Sequence, residues 1–260
     1  MKTAIVTGAS SGLGREFARQ IPKFYRGLDE IWLIARRSDR LEELREELTR
    51  QSGIYCRIYD SDLLRDYVYY HLQRDLEAFR PDVRMLVNAA GAGCTEPFAG
   101  TDPERLTGVI GLNCAALTRM TGLCLRYMNR GSRIVNVASA AAFAPQPGAA
   151  VYGATKAYVL SLSRALAREL KERCIFVTAV CPGPVETEFF RTAGEPAGAA
   201  RRKLMACPRH VVRQALKDVR KRRAVSVYGC AMKGAKTASK LAPDRLTDWI
   251  MNRINTRSHT

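Results

Sequence analysis

Apolar residues along this chain fall into short β-branched runs, separated by longer stretches in which they recur every three or four positions. The runs Thr3–Thr7, Ile31–Ala35, Tyr55–Tyr59, Met85–Asn88, Arg133–Ala138, Phe176–Cys181 and Val225–Val227 predict strands. The stretches Gly12–Phe24, Asp39–Gln51, Tyr67–Phe79, Pro103–Asn129, Ala149–Glu172 and Pro208–Arg222 predict helices. Strands that are apolar throughout are covered on both faces, and so regular a strand-helix alternation indicates a parallel sheet between two helical layers. The expected class is α/β with one doubly wound sheet. Residues 192–200, rich in Gly, Ala and Pro, lack a period and predict a mobile excursion between the sixth strand and its next helix. Beyond Pro243, Leu246, Trp249, Ile250 and Ile254 recur at helical spacing, so the extension 231–260 is expected to carry an amphipathic helix.

Composition narrows the class. With 260 residues, 47% hydrophobic and 26% charged, the chain suits one packed domain and excludes a disordered or coiled-coil protein. No unbroken apolar run approaches the roughly 18 residues of a membrane span, and the strand pattern starts directly after Met1, so a cytoplasmic location is the expectation. The eight cysteines include no C-x-x-C pair and should mostly be buried thiols. His71, His210 and His259 lie far apart. No metal site and no Ser-His-Asp triad is expected.

Charge changes the picture at one end. Residues 1–190 hold 25 basic and 21 acidic side chains, whereas residues 191–260 hold 17 basic and 4 acidic. The basic block is a solvated surface, or it attracts an anionic membrane surface, an acidic partner or an acidic substrate, with peripheral membrane association as the corollary. The amphipathic helix beside it either lies on such a membrane or packs on its own domain or a second subunit. No aromatic stacking pattern accompanies the charge, which argues against nucleic acid.

In a doubly wound sheet the ligand crevice lies outside the carboxyl ends of the strands. After the first strand comes Thr7-Gly8-Ala9-Ser10-Ser11-Gly12-Leu13-Gly14, a glycine-rich turn opening a helix whose positive end suits a pyrophosphate. Either the turn is merely structural, or the fold is a Rossmann-type one with Gly8, Ser10, Ser11, Gly12, Leu13 and Gly14 at the cofactor, the reading that the strand before and the helix after it favour. The second strand ends in Arg36-Arg37, where a carboxylate would hold the ribose 2′-hydroxyl of NAD. A guanidinium there pairs with a 2′-phosphate, so Arg36 points to NADP(H). Asp62 and Leu63 after the third strand, and Asn88, Ala89 and Gly91 after the fourth, either edge the cofactor or are ordinary loop residues.

Ser139 follows the fifth strand, with Tyr152 thirteen residues later and Lys156 four beyond it. Positions i and i+4 share a helix face, so the ammonium can approach the phenol and favour its ionised form over an ordinary pKa of about 10. Tyr152 would then exchange a proton with a carbonyl or alcohol oxygen, Ser139 would hydrogen-bond that oxygen, and a nicotinamide would exchange hydride.

Taken together, Thr7-Gly8-x-x-x-Gly12-x-Gly14, Asn88-Ala89-Ala90-Gly91, Asn113, Ser139, Tyr152-x-x-x-Lys156 and Pro182-Gly183-Pro184-Val185-x-Thr187 occur in an order that resembles the short-chain dehydrogenase/reductase family over roughly residues 1–230. The lean is towards its steroid and long-chain oxoacyl reductases. The resemblance implies that Asn113 is in the active site, its backbone helping to hold a water that links Lys156 to solvent. It also implies that Lys156 bonds the nicotinamide ribose, and that the Pro182, Gly183, Val185 and Thr187 segment borders the nicotinamide, with Val185 and Thr187 on its amide. A homo-oligomer, dimer or tetramer, is implied as well.

The positions expected to line the substrate are Gly93, Cys94, the run 140–143 ending at Phe143, Ala149, Pro184, Phe189 and Phe190, within reach of a substrate loop near 187–207. They are mostly apolar and suit a lipophilic ketone or alcohol. The expected function is thus NADP(H)-dependent interconversion of a ketone and a secondary alcohol on a hydroxysteroid or oxoacyl compound. The competing reading is a non-catalytic NADPH sensor docking on acidic partners through its tail.

Overall fold

A computed structural model describes residues 1–189 and 205–256, the side chains of residues 240, 241, 244 and 254–256 excepted. Seven parallel strands form one sheet in the order β3-β2-β1-β4-β5-β6-β7. They are β1 (Lys2–Thr7), β2 (Glu30–Ala35), β3 (Tyr55–Asp60), β4 (Asp82–Asn88), β5 (Arg133–Val137), β6 (Phe176–Val180) and β7 (Val225–Ser226). The helices are α1 (Gly12–Phe24), α2 (Ser38–Ser52), α3 (Asp66–Phe79), α4 (Pro103–Ile110), α5 (Leu117–Leu125), α6 (Ala150–Glu169), α7 (Pro208–Arg220), α8 (Cys230–Leu241) and α9 (Asp244–Thr256). This is the doubly wound α/β architecture expected from the sequence.

The side-chain period of two divides each central strand between two cores. Ala4 and Val6 of β1 and Ile31 and Leu33 of β2 pack with Phe17 and Ile21 of α1, Leu41, Leu44 and Leu48 of α2, and Val212 and Leu216 of α7. Ile5, Trp32 and Ile34 face the other layer, with Leu72 and Leu76 of α3 and Met120 and Cys124 of α5. Complete burial of both faces explains why these strands read as unbroken apolar runs.

Several expectations need correction. The single helix expected over Pro103–Asn129 ends at Leu125, and a π-helical turn, Gly111–Ala116, interrupts it. The helical run Pro103–Leu125 has the length and mean hydropathy, 1.3, of a membrane span. Thr, Asn and Gly are interspersed in it, so it is not an unbroken apolar run. Here Leu106, Val109, Ala116, Leu117, Met120 and Cys124 are buried inside the protein. Four cysteines, Cys56, Cys94, Cys124 and Cys181, are buried, whereas Cys207 and Cys230 are exposed. Helix α8 was not foreseen; its Met232 packs with Cys181, Val227 and Phe143. On α9, Leu246, Trp249 and Ile250 are exposed. The excursion at 192–200 lies outside the described residues.

Candidate active site

β1 and β4 are neighbours in the sheet although β2 and β3 separate them in sequence, so the strand order reverses at this point. Thr7 pairs with Asn88 in the register. The Thr7 hydroxyl accepts the N–H groups of Ala89 and Ala90, both at 3.1 Å, which clamps the two strand ends together. The clamp leaves no room at Gly8: with φ at +68°, a Cβ there would lie 2.8 Å from the Ala90 nitrogen. At Gly14 a Cβ would lie 2.2 Å from the Gly8 oxygen, so α1 sits directly on the turn. Ser11 precedes α1 in extended conformation without a side-chain cap bond, and no acidic residue occupies the first helical turn. The N–H groups at this helix start and its positive end therefore remain for an anion, which fits a dinucleotide pyrophosphate.

At the end of β2, Arg36 is exposed and makes no hydrogen bond or ion pair among the described residues. Its neighbour Arg37 is exposed as well but is bonded. Arg37 donates from Nε and Nη2 to the Ser10 hydroxyl at 3.4 and 3.3 Å, and its Nη1 meets Glu188 Oε2 at 2.8 Å. Arg40 approaches the other Glu188 oxygen at 3.7 Å. Asp62 caps the Leu64 N–H at 3.0 Å, and Leu63 is buried in the core. Asn88 is buried too, donating to Thr121 and Asn136 at 3.1 and 2.9 Å, while Gly91 is exposed.

Next to this turn the chemistry-bearing residues converge. Lys156, 5% exposed, donates from Nζ to the Val137 carbonyl at 2.9 Å, and its ammonium lies 5.7 Å from the centre of the Tyr152 ring. Burial pulls its pKa down to about 8. The half-buried Tyr152 is hydrogen-bonded to Ser139. Its phenol is pushed above the ordinary 10.0 by burial, with the Ser139 bond opposing. The expected direction, with Lys156 bringing the phenol down, differs from this: desolvation of the phenolate is the largest influence. Ser139 also caps a short turn, Ala140–Phe143, accepting from the Ala141 N–H at 3.1 Å.

Asn113, 1% exposed, lies in the π-helical turn. Its amide closes a two-way bond with the Ala92 backbone, both at 2.9 Å, and donates to the Thr155 hydroxyl at 2.9 Å. Thr155 in turn donates to the Tyr152 carbonyl at 2.8 Å. A Cβ on Gly91 would meet Asn113 Oδ1 at 3.1 Å and Lys156 Nζ at 3.4 Å, so these three adjoin. Sequence reasoning missed Thr155, whose only signal is its position on the turn between Tyr152 and Lys156.

Of the expected substrate positions, Phe189 lies with its ring 5.6 Å from that of Tyr152. Ala149 precedes α6, and Phe143 packs against the cluster that includes Cys181 and Val227. Gly93 and Cys94 are buried, and Cys94 packs with Leu106 and Val109. Pro184 accepts the Ala206 N–H at 2.9 Å, and Glu186 donates to the Ala206 carbonyl at 3.0 Å, so Val185 and Ala206 form a short parallel bridge. Thr187 faces the glycine turn, its methyl 3.3 Å from where a Cβ on Gly12 would stand. Pro182 accepts the Ala140 N–H at 2.8 Å, and Gly183 abuts Met232. Phe190 and the part of the substrate loop at 190–204 lie outside the described residues.

The sequence profile of short chain dehydrogenases matches residues 2–197. The chain belongs to the short-chain dehydrogenase family. It is 36% identical over 206 residues to sulfoacetaldehyde reductase 2 of Chromohalobacter salexigens, covering 75% of this chain and 78% of that one. It is 30% identical over 189 residues to 17-beta-hydroxysteroid dehydrogenase type 3 of Mus musculus, covering 71% of this chain and 60% of the mouse enzyme. The match thus spans about three fifths of the length of that relative. Among solved structures, a short-chain dehydrogenase from Sphingobium yanoikuyae in complex with NADPH superposes with a TM-score of 0.78 at 30% identity, covering 94% of this chain and all of that one. Short-chain dehydrogenases are oxidoreductases that use NAD(H) or NADP(H).

Proposed function

We propose that this chain is an NADP(H)-dependent reductase that reversibly interconverts a ketone and a secondary alcohol on a lipophilic substrate, a hydroxysteroid or an oxoacyl compound. The observation that carries the reading is the triad itself: Tyr152 bonded to Ser139, with the Lys156 ammonium fixed under its ring beside the glycine turn. When bound, NADPH supplies the hydride. Tyr152 donates its phenolic proton to the carbonyl oxygen, since a phenol holds its proton at neutral pH. Ser139 donates a hydrogen bond to the same oxygen. Lys156 holds the coenzyme ribose and places positive charge near the phenol. Asn113 belongs to the proton path behind Lys156. Gly8, Ser10, Ser11, Gly12, Leu13 and Gly14 cradle the pyrophosphate, and Arg36 with Arg37 meets the 2′-phosphate.

The apolar character of Phe143, Ala149, Pro184 and Phe189 favours a lipophilic substrate. In this reading residues 1–230 form the catalytic unit of a cytoplasmic homo-oligomer, and α8 joins that unit through Met232. The test is absorbance at 340 nm with NADPH or NADH and a panel of ketosteroids, oxoacyl thioesters and sulfoacetaldehyde. NADPH oxidation with a ketosteroid or an oxoacyl thioester is expected. Turnover confined to sulfoacetaldehyde, or to NADH, would overturn the substrate or the coenzyme assignment respectively.

A further inference from the structure

The segment after β6 crosses the coenzyme crevice, and three consecutive residues mark its path. Phe189 lies against the Tyr152 ring, Thr187 against Gly12 of the phosphate turn, and Glu188 between them reaches the end of β2. The Glu188 carboxylate takes Arg37 Nη1 at 2.8 Å and has Arg40 at 3.7 Å. Arg37 is the guanidinium that also donates twice to Ser10 in the glycine turn. An internal carboxylate therefore sits on the cation that stands after β2 beside the glycine turn.

We propose that Glu188 is a coenzyme-specificity residue, an internal counter-anion that competes with the 2′-phosphate of NADP(H) for Arg37 and Arg40. The proposal rests on the NADP(H) reading above and deepens it. A 2′-phosphate arriving beside Ser10 carries up to two negative charges. With Glu188 in place it meets a guanidinium already neutralised and a like charge beside it. NADH lacks that phosphate and is indifferent to the competition. Glu188 thus lowers the preference for NADPH over NADH that Arg36, Arg37 and Arg40 would otherwise set. The side chains of Arg37, Glu188 and Arg40 are 42%, 34% and 39% exposed, so solvent screening limits the effect to severalfold.

The test is equilibrium binding of NADPH and of NADH, followed by their own fluorescence, to wild type, Glu188→Gln and Glu188→Ala at low ionic strength. Both variants are expected to raise the ratio Kd(NADH)/Kd(NADPH) by about threefold, through tighter NADPH binding. A ratio unchanged or lowered in both variants, with wild type still preferring NADPH, overturns the role of Glu188 and leaves the NADP(H) reading intact. If neither wild type nor variant prefers NADPH, the NADP(H) reading falls and this inference with it.

Discussion

The two ends of the coenzyme crevice are built from opposite materials. Around Tyr152 the polar groups are withdrawn from water and bonded mostly to backbone: Lys156 to the Val137 carbonyl, Asn113 to Ala92 and Thr155 to the Tyr152 carbonyl, with one side-chain bond, Asn113 to the Thr155 hydroxyl. Around Arg37 the groups are charged, long and solvated, and they bond to one another. Buried hydrogen bonds in a low dielectric are costly to break and hold atoms in place, whereas exposed ion pairs contribute little and exchange partners readily. One end thus holds its groups fixed, whereas the other holds charges that can exchange partners.

That contrast predicts a descending series of effects. The largest concerns Lys156→Gln. The folded pKa of Lys156, about 8, lies below the ordinary 10.5, so between those values the unfolded chain binds more protons. The contribution of Lys156 to stability therefore rises with pH across that window. The Gln variant, with turnover reduced by about 10²-fold or more, should have its largest stability advantage over wild type below pH 8. That advantage should shrink towards pH 10.5, as read by denaturant unfolding at several pH values. A pH-independent difference would put Lys156 outside the buried cluster.

Thr155→Val comes next. It removes the acceptor of Asn113 Nδ2 and the donor to the Tyr152 carbonyl, and should cost about 1–3 kcal/mol of stability. As a change in a positioning residue, it should lower kcat with KM nearly unmoved, whereas a purely structural role would leave kcat per folded molecule unchanged. The smallest effect belongs to the ionic end: Glu188→Gln should change stability by less than about 1 kcal/mol. A larger loss would erase the contrast.

Much of this was legible in the sequence, for physical reasons that vary by residue. Strands buried on both faces announce themselves as apolar runs, and the strand-turn-helix context gave Thr7 through Gly14 its meaning. The i, i+4 spacing brought Lys156 under Tyr152 because one helix, α6, carries both. The π-helical turn at Gly111–Ala116 was not legible: its residues are ordinary in any helix, and the bonds of Asn113 to residues far away in sequence distinguish it. Nor were the bonds of Arg37 to Ser10 and Glu188, since its partners lie far away in sequence. Glu188 escaped because its partners are about 150 residues away, at the end of β2. The direction of the Tyr152 pKa was not legible either, because spacing reports a nearby charge but not desolvation.

The most direct test of the account is Tyr152→Phe, comparing turnover at 340 nm with NADPH affinity by fluorescence titration. Turnover should fall by about 10²- to 10⁴-fold, the contribution of a positioned general acid, while the Kd for NADPH stays within about twofold of wild type. A Phe variant that reduces ketones at the wild-type rate would contradict the assignment of Tyr152 as the proton donor.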